Sequence, residues 1–175
     1  NVKLLINGTL DGNKKIHSYD KSGNEGVTFR FIDNSYIGGS GIIRNFSGDG
    51  IDIDYATNLI INGIKTCSNS GSGIHFGSPR PIEPSFNNIV SNVKSTRNGF
   101  LVGRNGIDLS WPNQDGATFI NCYAFSNYRN WEIEAEGGIV INSFSYGDTA
   151  KKDVFSGANK AIINKKNITK KSILS

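Results

Sequence analysis

Ile60-Ile61-Asn62, two β-branched residues followed by an asparagine, is the repeated element that decides the fold of this chain. The other copies, the last two of them looser, are Leu5-Ile6-Asn7, Phe119-Ile120-Asn121, Val140-Ile141-Asn142, Ile162-Ile163-Asn164, Ile43-Arg44-Asn45 and Val90-Ser91-Asn92. Successive asparagines lie 38, 17, 30, 29, 21 and 22 residues apart, mostly within the length of one solenoid coil. A unit with a short apolar core and a polar turn cannot bury its face alone, so the units must stack.

A second recurring element follows each asparagine motif after a polar, glycine-rich gap. Its copies are Gly26-Val27-Thr28-Phe29, Gly50-Ile51-Asp52-Ile53, Gly73-Ile74-His75-Phe76, Gly106-Ile107-Asp108-Leu109 and Asn130-Trp131-Glu132-Ile133. Each copy has the period of two that is typical of a short strand, so its two apolar residues point inward and the residue between them points outward. The two elements together give each coil at least two parallel strands.

The composition supports the same architecture. The 175 residues include 23 Ile against 7 Leu and 7 Ala, together with 22 Asn and 21 Gly. β-Branched residues suit a pleated, buried surface, and Asn and Gly suit turns. The irregular repeat and the lack of a helical period argue against leucine-rich, ankyrin and TPR arrays. We therefore predict an all-β right-handed parallel β-helix of about seven coils, in which stacked asparagines form a ladder at the strand spacing of about 4.8 Å.

The charge distribution and the length of the apolar stretches limit the kinds of partner expected for this chain. Residues 1–150, the predicted β-helix body, carry a net charge of −2, and residues 151–175, the predicted last coil and basic tail, carry +6. The aromatic residues are not interleaved with basic ones, so we expect no nucleic-acid partner. No stretch approaches the roughly 20 apolar residues of a membrane span, so we expect no membrane partner. Since the first residue is not Met and the chain contains no Met at all, we interpret it as a processed product or a fragment of a larger spike protein.

These motifs resemble the pectate-lyase-like β-helix superfamily, which includes polygalacturonases, alginate epimerases and phage tailspikes. The resemblance runs from Asn1 to Asn164, and the part between Asp49 and Gly77 is most similar to tailspike and preneck appendage proteins of phages that infect Gram-positive bacteria. It implies a homotrimeric, extracellular spike on the virion tail that degrades a cell-wall polymer. The polygalacturonase motifs are largely missing, because only Gly73-Ile74-His75-Phe76-Gly77 approaches one of them. Pectin hydrolysis is therefore not expected.

Stacked in register, the outward positions of the second element form a column of chemically active side chains. The first column is Thr28, Asp52, His75, Asp108 and Glu132, and a second column two residues further on holds Arg30, Asp54, Gly77, Ser110 and Glu134. Five carboxylates and one imidazole would share one exposed face. Alternative interpretations of this cluster are a solvated acidic face and a Ca²⁺ site; we predict no other metal and no cofactor.

Spacing along a strand suggests the chemistry. Asp52 and Asp54, at positions i and i+2, are about 6.6 Å apart, which falls in the range of about 6.5 to 9.5 Å used by inverting glycosidases. Like-charge crowding would raise the pKa of one carboxyl, so that it serves as the acid and its partner as the base. His75 would orient a substrate hydroxyl or tune the pair. We predict catalytic roles for Asp52, Asp54, His75, Asp108, Glu132 and Glu134.

Three further residues are predicted to bind substrate. Arg30 and Arg80 offer cations, the latter on a proline-rich excursion at residues 77–85, and Trp111 offers a ring that could stack on a sugar. A surface bulge with an aromatic lid is an equally good interpretation of the Arg80 and Trp111 loops. Trp131 occupies an inward position and is predicted to be core. In rung four, residues 100–102 compete with residues 107–109 for the strand, and choosing 100–102 would remove Asp108 from the column.

The predicted function is binding and hydrolysis of an extended cell-surface polysaccharide or teichoic acid, as a glycoside hydrolase-like depolymerase. Two alternatives stay open. One is a β-helix shaft or adhesin that binds glycan and catalyses nothing. The other is a uronate lyase or C5-epimerase, although the outward columns contain only one basic residue, Arg30, to abstract a proton.

Overall fold

The computed structural model describes residues 1–13, 24–77, 86–109, 117–135, 137–147, 150–156 and, for the backbone, 160–162. These residues form eighteen β-strands and no helix, so none of the described segments is a helix that could cross a membrane. The strands, numbered β1 to β18 in chain order, assort into three parallel sheets.

From β1 to β17 the three sheets take every third strand of the chain, and β18 then joins the first sheet directly after β17. The first sheet contains β1 (Lys3–Leu5), β4 (Tyr36–Gly38), β7 (Ile60–Asn62), β10 (Ile89–Ser91), β13 (Thr118–Ile120), β16 (Ile139–Ile141) and β18 (Lys160–Ile162). The second contains β2 (Thr9–Asp11), β5 (Ile42–Arg44), β8 (Lys65–Cys67), β11 (Lys94–Thr96), β14 (Tyr123–Phe125) and β17 (Phe144–Tyr146). The third contains β3 (Val27–Asp33), β6 (Ile51–Thr57), β9 (Ile74–Gly77), β12 (Asn105–Leu109) and β15 (Arg129–Ile133).

This order is that of a parallel β-helix. In each of the first five windings the chain visits the first, second and third sheets in turn, then returns to the first sheet one strand further along the axis. The seven strands of the first sheet mark seven windings, so the predicted fold class and coil number are confirmed. Rung four uses Asn105–Leu109 as its third-sheet strand, which resolves the competition in favour of the segment containing Asp108.

The core lies inside the coil and is built from the inward residues of all three sheets. Ile51, Ile53, Ile74 and Phe76 of the third sheet are completely buried, as the period of two predicts. Trp131 is also core, at 1% exposure. The rings of Phe76, Phe119 and Trp131 pack edge to face through successive contacts of 6.1 and 5.7 Å, a favourable geometry for aromatic pairs.

The predicted asparagine ladder exists in part, and on the outside. Asn92 donates to Asn62 at 2.8 Å, Asn121 to Asn92 at 3.4 Å and Asn142 to Asn121 at 2.7 Å. These amides lie at the partly exposed end of the first-sheet strands. Asn7 lies two residues after the first-sheet strand β1, and Asn45 follows the second-sheet strand β5, so neither joins this row. Asn164 lies outside the described residues.

A second asparagine ladder, not predicted, is buried after the second sheet. The backbone and side-chain amides of Asn69 both donate to Asn98 Oδ1 at 3.0 Å. Asn98 repeats the pattern on Asn127 Oδ1 at 2.9 and 3.1 Å. All three side chains are at most 1% exposed. Each amide therefore satisfies backbone groups that a sharp interior corner would otherwise leave unpaired.

Candidate active site on the third sheet

The third sheet stacks the predicted outward positions in register. Thr28 lies opposite Asp52, and Asp52 lies opposite His75. The row continues from His75 to Asp108 and from Asp108 to Glu132. Side chains up to 104 residues apart in the sequence are therefore neighbours on one surface, and the predicted column is confirmed as an arrangement.

The prediction that this face is exposed is wrong for three of its carboxylates. Asp52 is 7% exposed, Asp54 is 8% exposed and Asp108 is fully buried. Burying an ionised carboxylate is costly unless it is paired and hydrogen-bonded. The partners of these groups therefore decide what the face can do.

Arg30 is the shared partner of the first carboxylate pair. Its Nε lies 3.0 Å from Asp54 Oδ2, and its Nη2 lies 3.8 Å from Asp52 Oδ2. The Arg30 side chain is 59% exposed, so one guanidinium at the surface covers two carboxylates beneath it. Burial, followed by the charge of Asp52, raises the pKa of Asp54 even though Arg30 and His75 oppose that change. The predicted like-charge effect is present and is second to desolvation.

His75 lies between two carboxylates. Its Nδ1 is 3.0 Å from Asp52 Oδ1 and 3.5 Å from Asp49 Oδ2. Burial disfavours the imidazolium, but the hydrogen bond with Asp52 and the charges of Asp108, Asp49 and Asp52 outweigh burial and raise the pKa of His75 to about 9. At neutral pH the imidazole is therefore a cation, and its Nδ1–H faces the two carboxylates.

Asp49 belongs to this cluster and was not predicted. It lies at the corner before Gly50, where its Oδ1 accepts a short hydrogen bond from the backbone N–H of Ser72. Desolvation raises the pKa of Asp49 to about 6, against the opposing effects of His75 and the Ser72 N–H. A carboxyl with a pKa near neutrality is suited to proton transfer. Because Asp49 precedes its strand, the alternation rule that found Asp52 gave it no position.

A second polar group lies two rungs further along the axis. Asn105 Nδ2 donates to Asp108 Oδ2 at 2.8 Å and to Glu132 Oε2 at 2.5 Å. Arg129 forms an ion pair with Glu132 three residues later on the same strand. Asn105 thus holds the carboxylates of two neighbouring strands together.

Four buried polar atoms in this region make no hydrogen bond. They are His75 Nε2, Asp108 Oδ1, Asn105 Oδ1 and Arg129 Nε, out of seven such side-chain atoms among the described residues. Buried polar groups are nearly always satisfied. Most of the buried side-chain atoms without a hydrogen bond in the described part of the chain therefore lie in the region from His75 to Arg129.

The remaining predicted site residues divide into two groups. Glu134 directly follows β15 and is exposed, with its backbone N–H donating to Leu109 at 2.9 Å. Arg80, Trp111 and Ser110 lie outside the described residues. The predicted sugar-stacking and anion-binding roles of the two loops therefore stay predictions.

The same cluster has the composition of a cation site. Single ligand atoms of Asp49, Asp52 and His75 all lie within 4.8 Å of one another. Two carboxylates and an imidazole suit a divalent transition metal better than Ca²⁺, which prefers oxygen ligands throughout. Such an ion would have to displace the proton from His75. In this structure that proton and the Arg30 guanidinium already supply positive charge to the cluster.

Comparisons with family models, with curated proteins and with solved structures give no match to this chain. The class of molecule is therefore defined by its own geometry: a parallel β-helix whose third sheet carries a cluster of three carboxylates, a charged imidazole and a covering guanidinium.

Proposed function

We propose that this protein binds an extended cell-surface polysaccharide along its third sheet and hydrolyses it. The observation that carries the proposal is the convergence of Asp52 and Asp54 on one exposed guanidinium, with a charged His75 hydrogen-bonded to one of them. Two carboxylates in unequal environments are the recurring apparatus of glycoside hydrolysis.

The two carboxyls have different roles in this proposal. Asp54, whose pKa is raised by burial and by the charge of Asp52, is the group that delivers a proton to the departing glycosidic oxygen. Asp52 faces two cations, Arg30 and His75, and is the carboxylate that takes a proton from the attacking water. Water adds to the anomeric carbon as the glycosidic bond breaks, so the products are a new reducing end and a free hydroxyl. His75 orients Asp52 and stabilises its charge.

The class of polymer proposed here rests on the resemblance to phage tailspikes. The proposal is a wall polysaccharide or a teichoic acid as substrate, a homotrimer as the assembly, and a tail spike outside the cell as the location. The parallel third sheet supports an extended polymer because equivalent positions repeat about every 4.8 Å along the axis.

The test is the double substitution Asp52→Asn and Asp54→Asn. Asparagine keeps the size and most hydrogen bonds of each side chain but removes the acid and the base, so we expect the release of reducing ends from candidate wall polymers to fall by at least about a hundredfold. The matched control is Asp11→Asn, which alters an exposed aspartate paired with Arg44 on the second sheet. A folded double variant with full activity refutes the two assignments.

A non-catalytic shaft is the second candidate, and the burial of the carboxylates favours it. Asp52, Asp54 and Asp108 are all under 9% exposed and hold partners within the protein, as structural ion-pair networks do. Wild-type protein that binds a wall polymer, yet releases no reducing ends and no unsaturated product absorbing in the ultraviolet, supports the shaft over both hydrolase and lyase.

A further inference from the structure

An aromatic pair lies on the two strands that carry Arg30 and the first carboxylates, with Phe31 inside β3 and Tyr55 inside β6. The rings of Phe31 and Tyr55 stack with their centroids 4.7 Å apart and their planes 13° from parallel. Phe31 is 63% exposed, the highest value among the exposed large hydrophobic residues of the described chain, while Tyr55 is 8% exposed. Tyr55 therefore supports one face of a phenyl ring that is otherwise open to solvent.

Both aromatic residues occupy a backbone conformation that suits them poorly. Their φ angles are +52° for Phe31 and +55° for Tyr55. Of the thirteen non-glycine residues with positive φ in the described chain, eight are asparagine and only these two are aromatic. Both residues lie inside strands, and a bulky side chain is costly in the left-handed conformation. Backbone strain kept at adjacent windings is a reason to look for a role of the ring.

The position of the pair connects it to the candidate active site. Phe31 directly follows Arg30, and Tyr55 directly follows Asp54, the two residues joined by the 3.0 Å ion pair. The phenyl ring therefore lies one position beyond the charged pair and still within the third sheet, because β3 continues to Asp33 and β6 to Thr57.

We propose that Phe31, supported by Tyr55, is a stacking platform for a pyranose ring of the polymer, an inference that rests on the proposed function and identifies its substrate class. A sugar ring presents a flat face of C–H groups, which an aromatic face can cover. Phenylalanine has no polar atom, so recognition depends on that apolar face. A polymer of glycerol phosphate has no ring to stack. The platform therefore selects pyranose-containing glycans from among wall polymers.

The substitution Phe31→Asn separates the ring from the backbone it strains. Asparagine occupies most of the other positive-φ positions among the described non-glycine residues, so the variant keeps the local backbone conformation and relieves strain while removing the platform. The matched control is Phe100→Asn, which removes a ring that is 48% exposed in the turn before β12, three windings away. Binding is measured by calorimetry with peptidoglycan-linked wall glycan, with pyranose oligosaccharides and with poly(glycerol phosphate).

We expect wild-type protein and Phe100→Asn to bind a pyranose polymer alike, and Phe31→Asn to bind it about tenfold more weakly, with an unchanged or higher unfolding midpoint. Equal affinity of Phe31→Asn overturns the proposal, as does wild-type protein that binds only poly(glycerol phosphate) or none of the three probes. Failure of the proposed function leaves a different signature, because a chain without hydrolase activity would still lose binding through Phe31→Asn and not through the Asp52 and Asp54 substitutions.

Discussion

The fold raises the pKa of His75 well above its ordinary value. An imidazole with a pKa of about 9 carries its proton through the whole physiological range, so it acts here as a fixed cation and a donor, and not as a base. The sequence predicted its place in the column and its influence on the carboxylates. Its protonation state depends on Asp49, a residue outside the strand pattern, and on the degree of burial, which alternation alone does not reveal.

The linkage between protonation and folding gives a pH prediction for His75. Its folded pKa of about 9 exceeds the ordinary value of 6.5, so its stabilising contribution is complete below pH 6.5 and is lost as the pH rises toward 9. We expect the free energy of unfolding to fall by on the order of 3 kcal/mol over that interval. The folded pKa of Asp49 is about 6, above its ordinary value of 3.8. Its contribution to the free energy of unfolding is therefore lost as the pH rises from 3.8 to about 6, below the window of His75. Urea denaturation at pH 6.5, 7.5 and 9 measures the slope.

The control for this prediction is His75→Gln, which keeps a polar side chain without a titrating proton. Its stability should vary little between pH 6.5 and 9 and should approach that of the wild-type protein at the upper end. Parallel curves for the two proteins would contradict the assignment of the slope to His75.

At the scale of single strands, the sequence predicted element type well and one register badly. The third-sheet strands alternate between buried aliphatic and outward polar residues, so Asp52 and His75 fall where the pattern puts them. In the first sheet, Ile60 is 40% exposed and Ile61 fully buried, while in the similar motif near Asn121 it is the first residue, Phe119, that is buried. Because apolar residues occupy both faces of that sheet, alternation cannot distinguish the registers.

The offset explains the observed ladder. Asn62 pairs with Ser91, and the corner position that Asn92 and Asn121 occupy is filled one winding earlier by Gly63, which has a φ of +79°. Asparagine and glycine are interchangeable there because both tolerate the left-handed conformation. The buried ladder had a signal in the sequence, a spacing of 29 residues from Asn69 to Asn98 and again to Asn127, that the search for apolar pairs before asparagine passed over.

The buried ladder should be essential to the corner it fills. Replacing Asn98 by alanine removes the Oδ1 atom that accepts hydrogen bonds from the backbone and side-chain amides of Asn69. It also removes the Nδ2 group that donates to Ser95 and Asn127. Leaving such buried groups unpaired costs about 1–3 kcal/mol each where no water reaches them, so we expect Asn98→Ala to lower the free energy of unfolding by about 3 kcal/mol or more. Chemical denaturation monitored by circular dichroism checks this.

The matched comparison is Asn92→Gly on the exposed ladder. Glycine keeps the positive φ of this corner, as Gly63 does in the preceding winding, and solvent replaces the lost amide contacts. We expect a change below about 1 kcal/mol. Similar losses for the two variants would show that burial is not what gives the inner ladder its energetic weight.

For the whole molecule, the fold could be predicted from the sequence because several windings repeat the same pattern of short apolar strands and polar turns. An error in the register of one motif, such as that of Asn62, does not alter the conclusion that the units stack. The candidate site was less predictable. Its geometry depends on side chains from different windings, and which of them are covered, as Asp108 is completely, is a property of the stack and not of any one segment.

The stack also predicts how stability is distributed. Each winding contacts only its neighbours, so the middle windings are held on both sides and the outer ones on one side. We expect the backbone amides of β6, β9 and β12 to exchange hydrogen most slowly, and those of β1, β2 and β17 at least about a hundredfold faster. Hydrogen exchange followed by mass spectrometry tests this, and uniform protection along the axis would contradict nearest-neighbour stabilisation.

The equal 29-residue step between Asn69, Asn98 and Asn127 makes the length of this protein modular. A segment that begins and ends at equivalent asparagine corners contains the residues of one complete turn. Adding or removing one such segment changes the length of the β-helix by one strand spacing, and the neighbouring windings can still stack on each other. Duplication or loss of the gene segment that encodes one such winding is thus a route to a longer or shorter β-helix that needs no new type of turn.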